Sequence, residues 1–424
     1  MHVSGLKTYL IDLPFRLSFG HNLAARKSST NVFVKVLLQN GSVEYAGLGE
    51  SVPRDYVSGE TAQGCWRYLN DTLFPGLRNF SFETLPQLAS ALEALWITHG
   101  LDENAHGASF CAFELALLDA YCRAQNIPFY QLPDLLARAL PSAFARSRVF
   151  GPGALKDGLG LKKGESEMIN YGGVVPFGNN AFLGTILNFY KAYNFGTVKL
   201  KVGSSLEDNL TVVRMARQIL PADVQLRIDA NCAWDLDSAQ KHLSALREYA
   251  IVSVEEPLAK GDLKNLAKLK TVIPEKIIVD ESLTTLADAR ALIAMDACDG
   301  FNVRLSKLGG VIACMKIVDL AFDHKLEVHL GAQVGESGVL ASAQRHFAAA
   351  LGPELCENVE GAMNIFLLKR DVTKECLTVP FGGRAKVSKG AGLGVSLSRN
   401  GRRYLGQFPA SFAAPAYALA SPHQ

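Results

Sequence analysis

The sequence predicts an α/β fold, a (β/α) barrel preceded by a smaller α+β region. Three observations predict it. Five short apolar runs between Thr197 and Lys307 each end in charged residues, and Lys201, Asp229, Glu255, Asp280 and Arg304 follow one another at intervals of 24 to 28 residues. That period fits one strand plus one crossover helix, and repeated units of this kind make a parallel sheet that closes into a barrel. The stretches between the runs, such as 206–219, 236–249 and 285–295, carry the apolar spacing of helices. Before about residue 135 the pattern differs: 32–38 and 43–49 read as antiparallel strands across an Asn40-Gly41 turn, and helical stretches follow.

Taken in order, residues 1–13 alternate like a strand, and helices are expected near 60–70, 85–96 and 107–125. The last of these is apolar enough to be buried, so Glu114 and Asp119 on it are read as structural. Two segments rich in Gly and polar residues, 17–30 and 49–61, read as mobile loops. Residues 140–168 show no period and read as an irregular link. Residues 170–177 hold the first barrel strand, followed by a helix over 179–192. Beyond Lys307 come a helix (311–324), a strand from Leu326, a helix (338–351) and a short last strand (355–361). The Ala- and Pro-rich residues 410–424 read as a loosely held end.

Composition bounds the function. With 424 residues and 48% hydrophobic content, a large buried core is expected. The 43 basic residues balance 41 acidic ones, which argues against a nucleic-acid partner. No apolar run reaches membrane-spanning length, and the N-terminal stretch lacks the uninterrupted apolar core of a signal peptide. Eight scattered cysteines form no Cys-x-x-Cys pair and read as free thiols in a reducing cytoplasm.

The charges sit at the C-terminal strand ends, where barrel enzymes build their sites. Three acids converging on one mouth would repel each other unless a cation lay between them. Single carboxylates suit Mg²⁺, so Asp229, Glu255 and Asp280 are the expected ligands. One lone Asp at a strand end is more often a turn or ion-pair residue; three at regular spacing reverse that weighting. Lys199 and Lys201 share an inward face because strand side chains alternate. Lys201, beside a cation and a second amine, is the expected base.

The pattern Lys199-x-Lys201, Asp229-x-Asn231, Val254-Glu255-Glu256-Pro257 and Val279-Asp280-Glu281-Ser282, with a basic residue on the next strand, resembles the enolase superfamily. Within it, the muconate lactonizing enzyme and dipeptide epimerase branch is most similar. The resemblance implies a modified TIM (β/α)7β barrel over residues 165–365. It also implies an α+β capping domain over 1–140, to which a C-terminal segment, 366–424, returns. It implies Mg²⁺ on Asp229, Glu255 and Asp280, with Lys201 as acid/base and Lys199 as its electrostatic neighbour. Asn231 would orient the site. His21, Arg54 and Tyr56 would lie on loops that close over the mouth and meet substrate.

This chain also departs from the resembled branch. Epimerases of that branch carry a second lysine where Arg304 stands, and an arginine is a poor base. Lys307, three residues on, is the alternative second base. Dipeptide epimerases bind the substrate ammonium with Asp-x-Asp at the last strand, where Asn358-Val-Glu360 stands here. Gln333 and Glu336 are expected at the mouth, and His329 is read as a histidine that is packed or that orients a site residue without touching substrate. The expected function is Mg-dependent transfer of a proton alpha to a small-molecule carboxylate through an enediolate, in a one-base lyase (dehydration or elimination) or a cycloisomerase. The alternatives are a two-base racemase or epimerase using Lys201 and Lys307, and a metal-binding homologue without turnover. A zinc hydrolase barrel would need clustered histidines that these strands lack. A homo-oligomer is expected.

Overall fold

Two sheets organise the chain. The computed structural model describes residues 1–21, 24–77, 79–103, 106–151, 168–177, 180–356, 358–361, 364–375, 377–388 and 390–409. Most of the irregular link and the Ala- and Pro-rich end therefore lie outside the described residues.

The first sheet is antiparallel: β1 (His2–His21), β2 (Ala24–Asn40) and β3 (Val43–Ser51). Its hairpin is longer than expected. Residues 17–30 are not a loop, because β1 continues to His21 and pairs His21 with Ala24 at the tip. Gly, Ser, His and Arg are weak strand formers, but backbone pairing with the partner strand overrides propensity here. An irregularity between Pro14 and Phe19 bends the ribbon. The tip reaches the barrel, where Phe177 N donates to Gly20 O at 3.3 Å.

After helix α1 (Leu85–Thr98), which packs against the helical segment Leu132–Ala139, helix α2 (Gly107–Ala124) covers this sheet. Nearly every residue of α2 is buried. Gly47 and Gly49 let β3 approach it closely: a Cβ at Gly49 would lie 2.0 Å from Ala112 O, and one at Gly47 2.0 Å from Ala116 O. The buried acids of α2 are structural, as expected. Asp119 accepts from the backbone N–H of Leu48 and Leu393 and pairs with Arg123 at 3.0 Å. Glu114 accepts from Val311 N at 2.5 Å and Ile312 N at 3.2 Å.

The second sheet has eight parallel strands in sequence order: β5 (Gly173–Val175), β6 (Thr197–Lys201), β7 (Gln225–Asp229), β8 (Ile251–Glu255), β9 (Lys276–Val279), β10 (Gly300–Val303), β11 (Glu327–Leu330) and β12 (Asn358–Val359). A short pair, β4 (Met168–Asn170) with β13 (Arg384–Lys386), precedes and follows it. Between the eight strands run α3 (Asn180–Ala192), α4 (Leu206–Ile219), α5 (Leu236–Leu246), α6 (Leu263–Lys270), α7 (Leu286–Ala294), α8 (Val311–Asp323) and α9 (Gly338–Leu351). This is a curled (β/α)7β sheet, with Gly172 N donating to Val359 O at 2.8 Å to bring its two edges together.

Local chemistry explains the repeat. Ser205, Asp235, Asp262 and Thr285 each accept a backbone N–H three residues on, starting α4 to α7 with side-chain caps. Along the strands, Val198, Leu200, Leu226, Ile228, Val254, Ile277 and Val279 are fully buried under the helices. The alternate residues point inward, which puts Lys199, Lys201, Arg227, Asp229 and Glu255 inside the sheet. No helix of the described residues is long and apolar enough to cross a membrane.

Candidate active site

Strand register builds the site. Lys201 pairs with Asp229, and Asp229 with Glu255, so three adjacent strands set one amine and two carboxylates side by side. Asp280 follows the end of β9, and Arg304 the end of β10. Lys201 Nζ donates to Asp229 Oδ2 at 2.5 Å and to Asn231 Oδ1 at 2.8 Å. Lys199 Nζ lies 2.8 Å from Glu255 Oε2, 2.6 Å from Glu360 Oε2 and 3.6 Å from Asp229 Oδ2. Arg304 Nη2 donates to Asp280 Oδ2 and lies 3.9 Å from Glu255 Oε1, while its Nη1 donates to Gln333 Oε1 at 3.0 Å.

These contacts set the electrostatics. Burial alone would lower the proton affinity of Lys199, but Glu255, Glu360 and Asp229 outweigh it and raise it. Burial would push Asp280 up, yet Arg304 and Lys307 hold it below the usual carboxylate range. Asp229 is held down in the same way by Lys201 and Lys199. Glu336 goes the other way: burial first, then Glu50, pushes it up to about 8.

A cavity of about 400 Å³ opens above these groups. Lys199, Lys201, Asn231, Arg304, Gln333, Glu336, Glu360 and Tyr56 all line it. The expected ligands Asp229, Glu255 and Asp280 are buried behind that lining, in contact with Lys201, Lys199 and Arg304, and Arg54 and Lys307 also stand off it. Arg54 is buried away from the cavity wall, where its guanidinium donates to Pro53 O, Ser29 Oγ and Val334 O. It braces the segment carrying Gln333 and Glu336 and is not among the residues that line the cavity. Lys307 is fully buried and donates to Asp280 O at 2.6 Å, Asp280 Oδ1 at 2.8 Å and Asn302 O at 3.1 Å. All three of its N–H donors are committed, so it serves as a brace for Asp280. The side chain of His21 lies outside the described residues. Tyr56 sits under Arg26, whose guanidinium is 5.5 Å from its ring, and Lys260 Nζ ties the same segment to the barrel through Val57 O at 2.6 Å.

Three site residues were not foreseen from the sequence. Glu281 lines the cavity, because β9 ends at Val279 and strict alternation stops there. It accepts from Asn231 Nδ2 at 2.8 Å, while its Oε2 is buried without a partner among the described residues. Arg227 pairs with Glu360 at 3.0 Å and Glu255 at 3.4 Å; its inward position two residues before Asp229 was the available signal. Phe189 on α3, with Phe182, Ile186, Phe366 and Leu367, forms an apolar wall that no motif announces.

Asp229, Glu255 and Asp280 are the residues that would hold a divalent cation. One amine, that of Lys199, reaches both Asp229 and Glu255, and Arg304 lies near both Glu255 and Asp280, so the three carboxylates converge. All-oxygen donors are the set that a hard cation takes. Among the described residues, no group of three acids is arranged as a ready cage; their oxygens are turned to ammonium and guanidinium donors.

Residues 185–401, just over half of the chain, match the family described as enolase C-terminal domain-like. A hydrophobic dipeptide epimerase of Enterococcus faecalis is 24% identical over 388 residues, 88% of this chain and 94% of that protein. An o-succinylbenzoate synthase of Geobacillus stearothermophilus is 28% identical over 331 residues, 78% of this chain and 76% of that protein. Among solved structures, a muconate lactonizing enzyme of Pseudomonas fluorescens complexed with muconolactone aligns with a TM-score of 0.78 at 20% identity, covering 95% and 98% of the two chains. A dipeptide epimerase of Enterococcus faecalis complexed with Mg and dipeptide L-Leu-L-Tyr aligns at 0.76 and 22% identity, covering 93% and 100%. The chain belongs to the enolase C-terminal domain-like family and is an enzyme.

Proposed function

We propose that this enzyme removes or delivers a proton alpha to a substrate carboxylate, with Lys201 as its single base. The observation that carries the reading is the row Lys201–Asp229–Glu255 on adjacent strands, with Lys201 on the cavity wall and the two carboxylates buried beside it. Mg²⁺ on Asp229, Glu255 and Asp280 would supply Lewis acidity at the substrate carboxylate; a structural relative is complexed with Mg. Lys201 takes the α-proton, and the electron pair moves into the carboxylate to give an enediolate. Lys199, held by three carboxylates, supplies a fixed positive charge to that developing anion. Arg304, anchored by Asp280 and Gln333, stays protonated and fits a carboxylate rather than a proton in flight.

One base on one face favours a syn elimination or a cycloisomerisation over racemisation. Epimerases among the relatives keep the two-base reading in view, but Lys307 is spent on Asp280 and Asn302. The test is exchange of the α-proton in D₂O, followed by NMR with a panel of carboxylic acids and Mg²⁺ present. Lys201→Ala is expected to slow exchange by about 10²–10⁴-fold. Exchange at the parent rate in that variant overturns the assignment.

A further inference from the structure

We infer that the cavity takes a carboxylic acid with an apolar aryl or alkyl body and without an ammonium group. The inference rests on the proposed α-proton chemistry only for the orientation of the ligand, carboxylate toward Lys201 and Arg304.

Glu360 carries the argument. It is the acid that the last strand brings to the cavity, and three of its roughly four acceptor sites are already used. Oε2 lies 2.6 Å from Lys199 Nζ, and Oε1 accepts from Arg227 Nη1 at 3.0 Å and from Asn358 Nδ2 at 3.2 Å. A carboxylate recognises an ammonium when it has free acceptor sites and no competing cation. Here two buried cations, both shared with Glu255, lie against Glu360 and would repel a third placed beside them. The other two acids on the wall do not replace it. Glu281 Oε1 is taken by Asn231, and its Oε2 is buried from solvent. Glu336 Oε1 accepts from Gln333 N at 2.6 Å, and burial favours its neutral form at neutral pH.

The opposite wall is built for an apolar body. Phe182, Ile186 and Phe189 line it from α3, and Phe366 closes against Phe189 with ring centroids 6.0 Å apart. The Tyr190 hydroxyl is spent on the backbone of Val174 at 2.8 and 2.9 Å, which leaves its ring to the cavity. Phe182 and Phe366 remain 46% and 49% exposed, so an incoming apolar group would cover surface now facing water. Aromatic faces attract cations as well, though weakly at exposed sites.

N-acetyl-L-phenylalanine and glycyl-L-phenylalanine differ only by an ammonium in place of a hydrogen, so they isolate the point. Calorimetric titration of the wild-type enzyme in saturating Mg²⁺ is expected to give at least about tenfold tighter binding of the acetyl compound. Equal or tighter binding of the dipeptide overturns the inference, and so does no measurable binding of N-acetyl-L-phenylalanine. Arg227→Met, which frees one side of Glu360, is expected to narrow the gap; a gap of unchanged size in the folded variant overturns the role given to Glu360. The wild-type ratio decides the inference by itself if that variant fails to fold. α-Proton exchange is followed on the same two compounds. Acetyl compound that binds tightly but never exchanges refutes the α-proton reading while leaving the binding inference standing.

Discussion

Arg304 and Glu336 face the same cavity with opposite electrostatic histories. Arg304 is held in place by Asp280 and Gln333, and its Nε has no partner among the described residues. Changing it to lysine supplies a group that is able to lose its proton. Arg304→Lys is expected to place deuterium in both stereoisomers of an exchanging substrate, where the parent labels one; chiral chromatography of the D₂O product checks this. Glu336 binds its proton in the folded protein up to about 8, against an ordinary 4.5. A raised value means that the folded state holds the proton longer than the unfolded chain. The contribution is therefore full below the ordinary value and is lost as pH rises through the folded one. Glu336→Gln cannot titrate, so its stability should fall less between about pH 5 and pH 9. The difference is expected to be on the order of 1 kcal/mol, because the side chain is partly open to the cavity, and urea unfolding at both pH values measures it.

At the scale of elements, the antiparallel layer and the barrel meet through α2. Its Glu114 carboxylate caps the N-terminus of α8, and Gly310 beside it has φ +104, with room for no Cβ: one would lie 2.0 Å from Glu114 Oε2. Glu114→Ala leaves two buried N–H groups without an acceptor. A loss of about 2–3 kcal/mol is expected from chemical denaturation, and an unchanged midpoint would show that water replaces the cap. Glu50 does the same for α9, accepting from Ser337 N, Ser337 Oγ and Leu340 N. The helices and strands of the barrel were legible because their signals are local: caps, apolar spacing and charged strand ends lie within single repeats. The 17–30 ribbon was not, because its polar residues carry no strand signal and their pairing is decided by the partner strand.

For the whole molecule, the converging carboxylates of three strands make ligand binding and folding one equilibrium. A divalent cation that binds only the folded site stabilises it by about 2.7 kcal/mol at a hundredfold excess over its Kd. Added Mg²⁺ is therefore expected to raise the melting temperature in a concentration-dependent way, and Asp229→Asn, Glu255→Gln and Asp280→Asn should each blunt the rise. Thermal melts over a Mg²⁺ series check it; an identical response in all four proteins would place the effect elsewhere on the chain. Lys199, Lys201, Arg227, Arg304 and Lys307 are buried against acids, so removing any one partner is costly because a lone buried charge remains.

The sequence by itself determined the order of strands and helices and which strand ends carry amines and acids. It also determined that Lys199, Lys201, Asp229 and Glu255 share the inward face. These follow from periods of two and 3.6 residues and from a repeat of about 25, all properties of neighbouring residues. Only the tertiary structure decided which of those groups are free. It set Arg227 against Glu360, 133 positions away, turned Lys307 and Arg54 from the cavity, and gathered Phe182, Phe189 and Phe366 into one wall. Such pairings depend on how the curled sheet brings distant strands together, and no local pattern encodes that closure.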